Sequence, residues 1–256
     1  MSLKKRVAII TGSSGIALET AKTLAKQNVM VHLCGIDKTL NDAAVKACAG
    51  LSVSLHLLDI TKEDQIKQFV SDVTKTDSNI NILINAAGVQ AYGDIETTTP
   101  DAFDKTMDVN FRSYYLMSHY IYPFMKATGG AIVNVSSAQG HSNQNNVLAY
   151  ATAKGAVHAL TRAMAVDAAK DNIRENSVSP GSIRTPLLEY SAEQLAKDGQ
   201  SVEDTIKKFG ESHPIGRVGT MHEVAALITF LVSDDAGFCV GGDYKVDGGL
   251  TAQLGV

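Results

Sequence analysis

The chain has 256 residues, 45% of them hydrophobic and 20% charged, with a formal net charge of −4 and an isoelectric point near 6.0. These figures suit a soluble globular protein with its own core, and no basic stripe points to a nucleic-acid partner. The three cysteines, Cys34, Cys48 and Cys239, are odd in number and far apart, which reads as reduced thiols in a cytoplasmic protein.

The start, Met1-Ser2-Leu3-Lys4-Lys5-Arg6, carries the charge of a signal peptide. Its apolar run Val7–Ile10 is too short for one, so Lys4–Arg6 is read as leading into a first buried strand. No stretch approaches ~18 apolar residues, and no membrane span is expected. The seven histidines show no ligand spacing, so no metal is expected either.

Short Val/Ile/Leu-rich runs predict strands at 6–11, 29–34, 53–58, 80–85, 130–136, 174–179 and 242–246. Helical periods fall between them, near 16–27, 40–49, 62–76, 101–127, 149–170 and 221–233. Apolar strands alternating with helices predict an α/β fold: a Rossmann-like, doubly wound parallel sheet of about seven strands flanked by helices. No linker divides the chain, so residues 1–256 are expected to form one domain. The long connection 186–214, with Leu187, Leu188, Tyr190 and a weakly helical stretch, is expected to be a substrate lid.

After the first strand comes Thr11-Gly12-Ser13-Ser14-Gly15-Ile16-Ala17. Glycines let backbone approach a pyrophosphate, and free N–H groups at a helix start attract its charge. The turn alone is equally compatible with a plain strand-to-helix connection. Asp59-Ile60 ends the third strand and Asn85-Ala86-Ala87-Gly88 the fourth, suiting a groove for an extended cofactor. Asp59 could instead cap the next helix, and Asn85 could merely fix a turn.

Tyr150 and Lys154 stand four apart on a predicted helix and project from one face. A phenol of pKa ~10 is a poor base at neutral pH, but a neighbouring ammonium and the positive ring of an oxidised nicotinamide stabilise its phenolate. The same spacing recurs in Tyr122 and Lys126. Context separates the two pairs. Ser137, at the end of a strand, lies thirteen residues before Tyr150, whereas the same offset from Tyr122 lands on Val109.

With these residues in place the chain resembles the short-chain dehydrogenase/reductase family over essentially its whole length. The likeness rests on the Thr11-Gly12 loop, Asp59, Asn85-Ala86-Ala87-Gly88, Val109-Asn110, Ser136-Ser137, Tyr150 to Lys154, Pro180-Gly181 through Thr185-Pro186, and Val246-Asp247-Gly248-Gly249. The resemblance implies an NAD(P)-dependent oxidoreductase exchanging a hydride with an alcohol or carbonyl substrate. It implies that Tyr150 is the acid/base, Ser137 holds the reacting oxygen, Lys154 binds the ribose and tunes Tyr150, and Asn110 supports a proton-relay water. The implied cofactor contacts are Gly12, Ser14, Gly15, Ile16, Asp37, Asp59, Ile60, Asn85, Ala86, Gly88, Pro180, Gly181, Ile183 and Thr185, with Tyr150 and Lys154.

Three departures stand out. The glycine loop is one residue short and ends in Ala17, which is expected to alter the phosphate grip. After strand two, Gly35-Ile36-Asp37 puts glycine where an acidic residue would read the ribose; Asp37 comes late, yet favours NAD over NADP. Glu175 and Asn176 interrupt a strand that in the family is usually more apolar at its start.

The hydrogen-bonding loop Gln139–Asn146 and the apolar lid suggest a sugar or polyol substrate, and Glu211-Ser212-His213-Pro214-Ile215 is similar to aldose dehydrogenases of the family. Two alternatives remain open: a 3-oxoacyl thioester reductase, and a nucleotide-sensing binding protein without catalysis. The resemblance also implies a homotetramer assembled through helices 101–127 and 149–170 and the C-terminal segment. The aromatic and Met residues Phe103, Met107, Phe111, Tyr114, Tyr115, Met117 and Phe124 exceed what a covering helix needs and would supply its apolar surface, the alternative being that most of them face the sheet.

Overall fold

The computed structural model describes residues 6–196 and 200–254. Lys4 and Lys5 of the expected lead-in, residues 197–199 of the expected lid, and the last two residues of the expected domain lie outside the described residues.

Seven parallel strands form one sheet in the order β3-β2-β1-β4-β5-β6-β7. They are β1 (Val7–Thr11), β2 (Met30–Gly35), β3 (Val53–Leu57), β4 (Ile82–Asn85), β5 (Gly130–Val135), β6 (Ile173–Pro180) and β7 (Asp243–Val246). β1 pairs with β2 on one side (Val7 with Met30) and with β4 on the other (Ala8 with Ile82). The chain thus reverses its winding at β1, which opens a crevice at the C-terminal strand ends.

Successive side chains of a strand face opposite ways, so each strand feeds two cores. Ala8 and Ile10 join one core with α1 (Gly15–Lys26), α2 (Lys38–Ala47) and α9 (Met221–Val232). Ile9 joins the other with α3 (Glu63–Thr76), α5 (Ser113–Met125) and the C-terminal part of α6 (Leu148–Ala168). Every strand falls where its apolar run predicts.

Two expectations change. The single helix expected over 101–127 is α4 (Pro100–Met107) and α5, joined by a π-helical turn, Asp108–Arg112. Asn110 sits inside that turn, and its amide donates to Thr106 O and Val89 O, both at 3.0 Å. The lid contains two helices, α7 (Pro186–Leu195) and α8 (Val202–Glu211). Thr185 caps α7 with Pro186 in its first turn, and Ser201 and Asp204 form a capping box on α8. Among the described residues no helix is long and apolar enough to cross a membrane.

Candidate active site

A cavity of about 850 Å³ opens along the C-terminal strand ends. At β1 the Thr11 hydroxyl accepts from Ala86 N and Ala87 N, at 3.0 and 3.2 Å, tying the ends of β1 and β4 together. Gly12 then turns with φ +94°, where a side chain would meet the Ala17 methyl at 3.2 Å. Ala17 is buried, so its methyl packs against the turn. Ser14 stands at the N-cap of α1 without a side-chain cap bond, and no acidic residue occupies the first turn. The helix start therefore keeps unpaired N–H groups beside the cavity, which Gly12, Ser14, Gly15 and Ile16 all line.

At the end of β2 the missing acidic residue has a physical reason. A Cβ on Gly35 would lie 2.2 Å from both Ser13 Oγ and Asn41 Oδ1. Asn41 is buried and donates to Gly35 O at 3.0 Å. Two polar side chains thus fill the space that a side chain at Gly35 would need. Asp37 lines the cavity, but one of its oxygens caps α2 by accepting from Leu40 N at 2.9 Å.

Asp59 and Ile60 line the same end. Asp59 accepts from Thr61 N and Thr61 Oγ1, while the N-cap of α3 is Lys62, so it braces a turn rather than capping the helix. Ala86 and Gly88 line the cavity; Asn85 does not. Its fully buried side chain points into the core and donates to Asn134 Oδ1 at 2.9 Å. Asn110 is likewise behind the wall, where its Oδ1 accepts from Val89 N and would lie 2.7 Å from a Cβ on Gly88. Both asparagines expected at the cofactor or the reaction thus hold up the wall instead of forming it.

Ser137, Tyr150 and Lys154 meet in the middle of the cavity, all buried. The Lys154 ammonium lies 5.6 Å from the centre of the Tyr150 ring, donates to Val135 O at 2.7 Å and to Tyr114 Oη at 3.3 Å. Burial pushes the Tyr150 phenol up to about 12, against the pull of the Ser137 hydroxyl, and pushes Lys154 down to about 7. Tyr114 was expected on the outer surface. It is fully buried, with its hydroxyl donating to Ala87 O at 2.9 Å. Only the sheet topology reveals that role. Tyr122 and Lys126 repeat the Tyr–Lys geometry, 5.8 Å from ring centre to ammonium, but away from the cavity, with Tyr122 bonded to Asp171.

Pro180, Gly181, Ile183 and Thr185 line the far end, where Thr185 approaches the space beside Gly15 to 3.5 Å. His213 holds this end in place: its Nε2 accepts from Ser182 N at 3.0 Å and its Nδ1 donates to Phe209 O at 2.7 Å. Leu187, Leu188 and Phe209 of the lid face Gln139, Ser142, Asn143 and Gln144 across the cavity. Tyr190 is half exposed and lies outside the lining.

Residues 10–251 match a family model described as enoyl-(acyl carrier protein) reductase. An uncharacterized oxidoreductase of Bacillus subtilis, YxbG, is 36% identical over 98% of this chain and 92% of that protein. A 3-oxoacyl-[acyl-carrier-protein] reductase of Thermotoga maritima is 33% identical over 98% of this chain and 99% of its own. The ligand-free aldohexose dehydrogenase of Thermoplasma acidophilum superposes with a TM-score of 0.91 at 33% identity, covering 99% and 97% of the two chains. With its sheet order and its match over nearly the whole length, the chain belongs to the short-chain dehydrogenase/reductase family and is an NAD(P)-dependent oxidoreductase acting on CH–OH groups.

Proposed function

We propose that the enzyme interconverts a small polyhydroxylated alcohol, a sugar or polyol, with its carbonyl form. One observation carries this reading: Gln139, Ser142, Asn143 and Gln144 line the substrate end of the cavity. Ser142, Asn143 and Gln144 are exposed in the free chain; an acyl chain covering them without hydrogen bonds would cost about 1–3 kcal/mol per group, whereas a polyol offers partners. Leu187, Leu188 and Phe209 would cover one apolar sugar face. The test is kcat/KM across aldoses, polyols, cyclic and aliphatic ketones, 3-oxoacyl thioesters and steroids. A preference above about tenfold for an apolar ketone or steroid would overturn the substrate reading and leave the oxidoreductase standing.

The residues present suit a nicotinamide dinucleotide. The uncapped start of α1 suits its pyrophosphate, and Lys154, which donates to the neutral oxygens of Val135 and Tyr114, suits a ribose. When bound, the nicotinamide exchanges a hydride with the substrate carbon and brings positive charge in its oxidised form. Tyr150 gives or takes the proton at the substrate oxygen, which the Ser137 hydroxyl also bonds. Lys154 lowers the cost of the phenolate from beneath, countering the burial that raises Tyr150. Asn110 acts as a positioning residue for the 88–89 turn.

NAD is the proposed nucleotide. Asp37 would repel a 2′-phosphate, and among the described residues lining the cavity there is no arginine to neutralise one. Lys38 is committed to Asp42 at 2.8 Å. A homotetramer in the cytoplasm is proposed from the family resemblance, with exposed Tyr115, Val166 and Phe238 as apolar surface to be covered.

The acyl-carrier reading draws on the family model and the Thermotoga relative. It wants a basic rim, but Arg184 is paired with Glu189 and Glu203, and Arg217 with Glu223. A purely nucleotide-sensing role would be favoured if the protein bound cofactor and oxidised nothing in the panel.

A further inference from the structure

No short spacing in the sequence suggests a metal, but the fold joins three ligand-type side chains from three different elements. His141 follows the short turn that starts at Ser137, His158 lies one turn beyond Lys154 on α6, and Asp243 opens β7. One ligand atom from each lies within 4.8 Å of the others. The imidazoles are stacked, with ring centres 4.3 Å apart and planes inclined by 29°. Both turn Nε2 towards one carboxylate: His141 to Asp243 Oδ2 at 2.7 Å, His158 to Asp243 Oδ1 at 3.4 Å. His158 is buried, and its Nε2 also lies 3.0 Å from Ser179 Oγ.

We propose that His141, His158 and Asp243 form a binding site for a zinc-class divalent cation. Two imidazoles and a carboxylate are a donor set that suits Zn²⁺, with water as the fourth ligand. Tetrahedral bonds of ~2.0–2.1 Å require ligand atoms ~3.3 Å apart. The His158–Asp243 separation already meets that, and a small rotation of the partly exposed His141 side chain opens its contact with Asp243. The rest of the cluster is braced. Ser177 and Ser179 donate to Asp243 Oδ1 at 2.6 and 2.8 Å, fixing the carboxylate from behind. Gly140 leaves no room for displacement, since a Cβ there would meet His158 Cε1 at 2.6 Å and Lys154 O at 3.0 Å.

The site is structural in kind. It stands behind the Ser137 turn, is held by protein ligands, and is not among the groups converging on Tyr150. A bound ion would clamp the loop after Ser137 to α6 and to the edge strand β7, and would stabilise the folded chain by mass action.

The test titrates Zn²⁺ into the chelator-stripped full chain by calorimetry and follows thermal unfolding in parallel. One equivalent per chain and a rise in Tm are expected. His141→Ala and Asp243→Asn should each weaken binding at least about tenfold and remove the rise in Tm. Because Asp243→Asn also disturbs two serine bonds, the partly exposed His141 provides the variant least tied to folding. His222→Ala, at an exposed histidine near Glu19, should change nothing. Co²⁺ should give the visible bands of a tetrahedral site in the wild type and not in His141→Ala. Absence of saturable Zn²⁺ binding, or binding that survives both ligand variants, or loss of binding in His222→Ala, overturns the proposal.

Discussion

Lys154 stands 5.6 Å from the centre of the Tyr150 ring, and Lys126 stands 5.8 Å from that of Tyr122, yet of the two pairs the first alone lines the cavity at the strand ends. Tyr150→Phe should therefore cut kcat by about 10²–10⁴ while leaving the cofactor dissociation constant nearly unchanged. Tyr122→Phe should keep its activity. Steady-state kinetics with cofactor fluorescence titration decide it; a Tyr150→Phe enzyme of ordinary kcat would remove Tyr150 from the chemistry.

Glu175 is fully buried in β6, with one oxygen accepting from Asn134 at 2.7 Å and the other without a partner. Burial raises its carboxyl from 4.5 to about 8. The folded chain thus holds this proton over a pH range where the unfolded chain has lost it. Its contribution to stability is complete below 4.5 and is lost as pH rises through about 8. Glu175→Gln keeps the shape of the protonated acid without the titration. Its advantage over the wild type in urea denaturation should grow between those two pH values, reaching on the order of 5 kcal/mol. A difference that does not vary with pH would mean that Glu175 does not hold the proton.

Introducing the acidic residue expected after strand two should fail on packing grounds. Gly35→Asp collides with Ser13 and Asn41, and a loss of about 1–3 kcal/mol is expected. Combining it with Ser13→Gly and Asn41→Ala should recover much of that loss. In the wild type, calorimetry should give a lower dissociation constant for NAD than for NADP; the reverse order would reject Asp37 as the discriminating charge.

His213→Ala removes both bonds that tie the end of α8 to the turn at Ser182. Stability should fall by about 1–3 kcal/mol, and proteolytic cleavage within 186–214 should accelerate. An unchanged cleavage rate would show that His213 does not hold the lid.

Light scattering at micromolar concentration should give the mass of four chains. Charged substitutions at Phe238 and Val166, both exposed in the isolated chain, should lower that mass; a monomeric wild type would reject the assembly.

The strands were legible because each is a short apolar run flanked by turns, and a parallel sheet covered on both faces demands such runs. Ser137, Tyr150 and Lys154 were legible because helical spacing and one strand end bring them together with little help from the rest of the fold. The inward turn of the Asn85 side chain was not legible, because periodicity says which residues end a strand but not which way the last side chain turns. Tyr114 was read as surface because it sits in an aromatic-rich helix whose buried face is chosen by the π turn before it, a half-step that no helical period predicts. The reason for Gly35 lay in Ser13 and Asn41, whose approach depends on how the short loop lies over β2. His141, His158 and Asp243 are spread over a hundred residues of chain and meet only through the β6–β7 pairing.

The reversal of winding at β1 divides labour between two stretches of chain. The ends of β1, β2 and β3 line one half of the cavity, while the other half is lined by the ends of β4, β5 and β6 and the connections that follow them. The two halves touch at few points, Thr185 beside Gly15 being one. Replacements in the 139–146 connection and in the part of 186–214 before His213 can therefore retune what the enzyme accepts, while His213 keeps its hold on the turn at Ser182. That modularity makes those two segments the natural targets for library-based redesign, and it lets selection explore new alcohols one wall at a time.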